Sequence, residues 1–223
     1  MNPTPEKTSV MAPFILMLFL YFIVGLFTVI NQQFQVPLKS ALLPHDGNMT
    51  NALVTLLNFS WFLAYPFSEG FATRWVDRLG YRKTSVYSLL IFIVGLGFYE
   101  AAVLLHIYAP SYITIMGNPI FTGFFVFLSG SFVIGMAVTI LQVVTGLYLD
   151  VNPVGKTTPL QRQMIGGTTN SIGMAIGPLV VSYIIFYGIP LHNVQSREFI
   201  WPVICLIAVS YTHLRAHETA ANL

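Results

Sequence analysis

Residues 11–29, MAPFILMLFLYFIVGLFTV, decide the fold class of this chain, and residues 30–37, INQQFQVP, follow them directly. A helix of about 20 mostly apolar residues crosses the hydrocarbon core of a bilayer. The run exceeds the apolar core of a cleavable signal peptide, which has about 7–15 residues. We therefore predict a polar tail at 1–10 and then a membrane helix. The amides just after the run indicate either its fraying end or the lining of a path through the membrane.

The composition supports a membrane location for the whole chain. Of the 223 residues 55% are hydrophobic and only 8% are charged, against about 25% charged residues in soluble domains. The formal net charge of +2 is too small to indicate a nucleic-acid partner. The single cysteine, Cys205, excludes an internal disulfide. We predict an all-α integral membrane protein whose surroundings are the lipid bilayer.

Apolar runs predict six helices, the last of them broken off. Their approximate bounds are 11–34, 52–72, 84–107, 120–149, 163–187 and 199–208.

Lysine and arginine predict the orientation, because loops on the cytoplasmic side are enriched in both. With a cytoplasmic N-terminus the outer loops hold only Lys39 and Arg197, which favours that orientation in a bacterial inner membrane. The inner segments hold Lys7, Arg74, Arg78, Arg82, Lys83, Lys156 and Arg162.

The segment between the second and third predicted helices reads DRLGYRK and contains Asp77, Arg78, Gly80, Arg82 and Lys83. Glycine allows a tight turn between antiparallel helices, and the cations hold the turn inside. The pattern resembles the cytoplasmic signature of the major facilitator superfamily. The resemblance implies that these residues form a conformational latch. The alternative is an ordinary positively charged inner loop.

Three further segments resemble the fucose permease branch of that superfamily, which consists of sugar:proton symporters. They are residues 30–37, the LQVVT of 141–145, and the fifth helix with Asn170 and Gly177–Pro178. The resemblance implies that residues 11–208 form the N-terminal six-helix half of a twelve-helix fold. It also implies alternating-access transport of a sugar or similar polyol with a coupling ion, proton or sodium. A half alone is expected to be inactive.

Two acids of that family are replaced by glutamine here. The first position is Gln32 or Gln33, depending on the alignment, and the second is Gln142. An amide donates and accepts hydrogen bonds but takes up no proton, so solute binding is retained while proton coupling at these positions is lost. The residues assigned to the solute are Asn31, Gln32, Gln33, Gln142, Asn170 and, by stacking on a sugar ring, Trp61. The alternative is that Asn170 and the fifth-helix glycines serve helix packing.

Glu69 and Glu100 are the remaining acids within predicted helices and the candidates for coupling. A charge at the bilayer centre costs at least about 2.5–3.5 kcal/mol, so each acid needs a partner or a proton. Arg74 is a candidate partner for Glu69, or Glu69 is a protonable group facing the cavity. Glu100 alternatively extends to the lipid headgroups.

The last residues, 209–223, form a polar tail that cannot complete a membrane helix. Residues 209–219, VSYTHLRAHET, resemble a translated sequencing-library adapter, so we predict a non-native tail. His213, His217 and Glu218 therefore only imitate a metal site. We expect no metal, no cofactor and no catalytic residue. The alternative is a self-contained six-helix membrane protein, either an intramembrane enzyme or a channel.

Overall fold

The computed structural model describes residues 11–43, 48–115, 117–195, 200 and 211. Among these residues, four helical segments are long and apolar enough to cross a membrane. The predicted tail at 1–10 lies outside the described residues, as do the sixth helix and the 209–223 tail apart from residues 200 and 211. The helices are α1 (Met11–Gln33), α2 (Gln35–Leu42), α3 (Asn48–Tyr108), α4 (Gly123–Val151) and α5 (Pro159–Leu179).

The 61-residue α3 folds back on itself at Gly80, where φ is 78° and ψ is 168°. The first arm is residues 48–79 and the second is 81–108. Ser60 on the first arm donates a hydrogen bond to the Leu128 carbonyl of α4 (2.9 Å). Ser88 on the second arm donates to the Ala137 carbonyl of α4 (2.7 Å). Both arms therefore flank one stretch of α4, and α3 consists of two antiparallel helical arms.

The predicted bounds of 52–72 and 84–107 are too short. The two arms extend over 48–79 and 81–108, because only Gly80 leaves helical geometry. The charged residues around it are helical and exposed to solvent. Polar side chains do not end a helix by themselves. Reversal of the chain needs a backbone conformation that is essentially restricted to glycine.

Replacement of Gly80 by valine is expected to destabilise the hairpin. The φ and ψ values of this residue lie in a region whose occupation by other residues costs about 1–3 kcal/mol. The thermal midpoint of the purified chain in detergent should fall. Gly97→Ala is the matched control, since Gly97 is exposed in the second arm with open space around it. Equal melting of Gly80→Val and the wild type would contradict the assignment of the turn.

The first helical segment continues past residue 34, the predicted end of the first helix, and past Pro37. Only Phe34 separates α1 from α2, and the helix reaches Leu42. Proline has no N–H to donate to the carbonyl four residues earlier, here that of Gln33. The hydrogen-bond ladder is otherwise maintained, because the Leu38 N–H donates to the Phe34 carbonyl (2.9 Å). Pro37 therefore interrupts this segment without ending it.

The all-α prediction is confirmed for the described residues apart from a short antiparallel hairpin that precedes α4. Strand β1 (Tyr112–Ile115) pairs with β2 (Asn118–Phe121). The predicted start of the fourth helix at 120 is thereby corrected to Gly123. The segment YITI is rich in the aromatic and β-branched residues that favour strands.

The fifth crossing begins earlier than the predicted residue 163. The Thr158 hydroxyl accepts a hydrogen bond from the Gln161 N–H (3.2 Å), and the Gln161 side chain accepts one from the Thr158 N–H (2.9 Å). This reciprocal cap, with Pro159 in the first turn, is a strong helix start. After Pro178 the helix widens into a π-helical stretch, Val180–Ile185, instead of continuing to 187 as predicted.

Helices α1 and α5 run parallel and touch through glycines. Gly166, Gly173 and Gly177 are buried. They lie against Tyr21, Phe22 and Val29 respectively. Residue numbers increase in the same direction along both helices, so the two helices point the same way. This is the direction expected if the two α3 arms and α4 run alternately antiparallel between them. The alternative that the fifth-helix glycines serve helix packing is therefore confirmed for these three residues.

Candidate functional site

Four of the amides assigned to a solute are half-buried on three neighbouring helices. Gln32 and Gln33 lie at the end of α1, Gln142 lies on α4 and Asn170 lies on α5. Helix α1 packs against both α4 and α5, and α4 packs against α5. The fold therefore brings the three amide-bearing helices to one junction.

The relative heights of two of these amides follow from a contact between the C-terminal end of α4 and the N-terminal end of α5. The Arg162 guanidinium donates a hydrogen bond to the Asp150 carbonyl (2.8 Å). The connection 152–158 makes the helices antiparallel. Gln142 precedes Asp150 by eight residues and Asn170 follows Arg162 by eight, so each lies about 12 Å along its helix from that contact at 1.5 Å per residue. Gln142 and Asn170 therefore lie at about the same depth.

The position of Asn170 is set by α1. A methyl group built on Gly25 would collide with the backbone carbonyl and the side chain of Asn170. Gln32 and Gln33 follow Gly25 by seven and eight residues, which places them about 10–12 Å further along α1. Asn170 therefore lies at the level of Gly25, and the two glutamines lie further along α1.

Asn31 and Trp61 are placed differently from their neighbours in the sequence. Asn31 is 3% exposed and Trp61 is 1% exposed. The Tyr99 hydroxyl donates to Asn31 Oδ1 (2.8 Å), and the Ser131 hydroxyl donates to the Leu57 carbonyl (3.1 Å) beside it. Asn31, Trp61 and Tyr99 line a cavity of about 20 Å³ within the packed helices, which is far smaller than a sugar.

Packed aromatic rings enclose this region. Phe27 stacks on Phe92 at 4.3 Å between ring centroids, and Tyr99 stacks on Phe127 at 3.8 Å. Aromatic pairs of this kind stabilise a core beyond their buried area. Sequence reasoning did not identify Tyr99 as the partner of Asn31, because the two residues are 68 positions apart.

The two acids proposed for coupling have different surroundings. Glu69 is exposed on the first arm of α3 and is close enough to Tyr65 to interact electrostatically. Glu100 is half-buried on the second arm. Its Oε2 atom is shielded from solvent and has no hydrogen-bond partner in the described part of the chain. At least one oxygen of the Glu100 carboxylate is therefore buried, so the carboxylate as a whole does not reach the surface.

The predicted latch residues surround the α3 reversal. Asp77, Arg78, Arg82 and Lys83 are exposed, and Gly80 provides the turn between them. This charged group lies at the end of the helix bundle where α3 reverses, away from the half-buried amides. The latch role of these residues stays a prediction.

Arg162 has a structural role that the sequence analysis did not predict, since it was counted there only as an inner cation. It is 2% exposed. Its guanidinium donates to the Leu149 carbonyl (2.6 Å) and the Thr157 carbonyl (2.7 Å), in addition to that of Asp150. A cation at the C-terminal end of α4 satisfies free carbonyls and opposes the helix dipole. The capping sequence Thr158–Gln161 was the sequence signal for this position, because it places Arg162 in the first turn of α5.

A larger opening lies along α2. It has a volume of about 580 Å³ and is lined in part by Gln35, Lys39, Ser40 and His192. Among the described residues no group of three or more His, Cys, Asp or Glu side chains could hold a metal ion. His213, His217 and Glu218, which imitate a metal site, lie outside the described residues.

Comparison with protein-family models, with curated proteins and with solved structures finds no match to this chain.

Proposed function

We propose that this chain is the N-terminal half of a secondary active transporter of the major facilitator superfamily, similar to the fucose permeases. Its solute is a small neutral polar molecule, a sugar or similar polyol. The observation that carries the proposal is the placement of Gln142 and Asn170 at one depth on α4 and α5, next to α1. Transporter sites form near the bilayer midplane between two such halves.

The chemistry of the amides favours a neutral solute. Gln32, Gln33, Gln142 and Asn170 donate and accept hydrogen bonds without carrying charge. A hydroxylated solute matches this pattern, since each hydroxyl also donates and accepts. A charged solute would require a counter-charge, and none of these four side chains supplies one. The larger opening lined by Gln35 and Ser40 has room for such a solute on its approach.

Two features support the transport cycle in this proposal. Asp77, Arg78, Arg82 and Lys83 around the α3 turn would hold the two halves together in one state. Glu69 is exposed on the first arm and would take up the coupling proton, or accept a sodium ion, while Glu100 is the second candidate. The cationic group at this turn would face the cytoplasm of a bacterial cell, with the N-terminus on the same side.

Binding of a sugar panel tests the proposal directly. We expect at least one neutral sugar or polyol to raise the thermal midpoint of the purified chain in detergent. Substitution of Gln142 or Asn170 by alanine removes neutral hydrogen bonds, each of which contributes about 0.5–1.5 kcal/mol. Affinity should therefore fall by about 2- to 13-fold for each hydrogen bond lost, as titrated by the thermal shift.

Asn51→Ala is the matched control, because Asn51 is an exposed amide at the start of α3. It should bind the same sugar as the wild type does. The proposal fails if no member of the panel shifts the midpoint, or if both amide variants bind like the wild type. Repeating the titration between pH 5 and 8 with Glu69→Gln tests coupling. An unchanged pH dependence would exclude Glu69.

A further inference from the structure

The small cavity lined by Asn31 and Trp61 lies where four helical segments meet. It is bounded by α1, both arms of α3, and α4, and it has a volume of about 20 Å³. A single water molecule needs about 10–15 Å³ of such space. Most of the wall is aromatic or aliphatic. The lining residues are Phe27, Ile30, Asn31, Phe34, Trp61, Phe92, Leu96, Tyr99 and Ile134.

Two buried N–H donors in this wall have no hydrogen-bond partner in the described part of the chain. They are Asn31 Nδ2 and Trp61 Nε1. The other end of the Asn31 amide is occupied, since its Oδ1 accepts from Tyr99. Tyr65 lies close to the indole, but the approach does not meet hydrogen-bond geometry. Donors this deeply buried are rarely left unsatisfied in folded proteins, because desolvation without a new partner is costly.

We propose that this cavity binds one ordered water molecule, which accepts hydrogen bonds from Asn31 Nδ2 and Trp61 Nε1. The size of the space fits one water and excludes a sugar. The pair of donors requires an acceptor, and the water oxygen provides two lone pairs. An anion also accepts hydrogen bonds, but no cationic side chain lines the cavity to offset its desolvation. A water hydrogen can in turn be donated to the Tyr99 oxygen, which retains a lone pair.

The bound water would connect elements that are distant in the sequence. Asn31 belongs to α1, Trp61 to the first arm of α3, and Tyr99 to the second arm. Ser131 on α4 lies 3.5 Å from Asn31 Oδ1. The water would complete a neutral hydrogen-bond network that links α1, both arms of α3 and α4. This network is separate from the half-buried amides proposed to contact the solute.

Hydroxyl-radical labelling by X-ray radiolysis of the full chain in detergent tests this site. Radicals form at bound waters inside a protein, so buried rings beside one are oxidised. Phe34 and Phe124 are a matched pair, because both are phenylalanines with at most 1% exposure and only Phe34 lines the cavity. We expect Phe34, Trp61 and Tyr99 to be labelled at least several-fold faster than Phe124. Equal rates at Phe34 and Phe124 would overturn the proposal.

Asn31→Leu removes one donor and fills the space, so labelling of Phe34 should fall to the Phe124 level. If Asn31→Leu fails to fold, Trp61→Phe is the second variant. It keeps an aromatic ring and removes the indole donor, so it should lower labelling at Phe34 and Tyr99. Unchanged labelling at Phe34 in a folded variant would contradict a water held by these two groups. The wild-type comparison of Phe34 with Phe124 decides the question even if neither variant folds.

Discussion

Replacement of Gly173 by alanine is expected to separate α5 from α1. A methyl group at this position would collide with the backbone carbonyl of Phe22 and lie 3.1 Å from the Leu26 nitrogen. Both obstacles are backbone atoms, so no side-chain rotation can relieve the contact. Inserting even one methyl into such close packing costs about 1–3 kcal/mol. The loss should be at the upper end of this range, because α5 has few other buried contacts.

The buried residues of α5 are only Arg162, Gly166, Gly173 and Gly177. Displacing one turn of α5 would therefore expose a large part of its buried contact surface. We expect a lower thermal midpoint in detergent and faster proteolysis in the 152–158 connection. Gly167→Ala is the control, because Gly167 is on the same helix and has open space around it. If Gly173→Ala were as stable as Gly167→Ala, the close approach of α1 and α5 would be wrong.

Replacement of Arg162 by methionine should produce a loss of similar or larger size. Methionine retains the apolar stem but leaves the carbonyls of Leu149, Asp150 and Thr157 without their donors. Hydrogen bonds to charged groups contribute about 1.5–3 kcal/mol each. Since a freed carbonyl can partly reach water, we expect a total loss of about 3 kcal/mol, measured by denaturant or thermal unfolding in detergent.

Arg162→Lys separates the contribution of charge from that of geometry. Lysine keeps the cation at the end of α4, but a single ammonium cannot reproduce the planar guanidinium that reaches three carbonyls. It should recover less than half of the lost stability. Arg78→Met controls for loss of a cation, because Arg78 is exposed. A full rescue by lysine would mean that charge alone stabilises this end of the helix.

The stretch that follows the first apolar run shows how far sequence reasoning reached. It marked Asn31, Gln32 and Gln33 as one polar group facing a path through the membrane. Successive residues on a helix point about 100° apart, so the three amides cannot share one environment. The structure turns Asn31 into the core towards Tyr99 and leaves both glutamines half-buried. Which of the three turned inward depended on a partner 68 residues away.

The sequence by itself determined the helical, membrane-compatible class, the long apolar helices and the turning glycine at residue 80. Each of these depends on a local property, either the length of an apolar run or the backbone freedom of glycine. Only the tertiary structure decided that the first helical segment continues past residue 34 to Leu42 and that a strand hairpin precedes α4. It also decided that Arg162 binds three carbonyls and that Asn31 and Trp61 enclose a water-sized space. These features depend on contacts between distant segments, and no local pattern of residues specifies which side chains will meet.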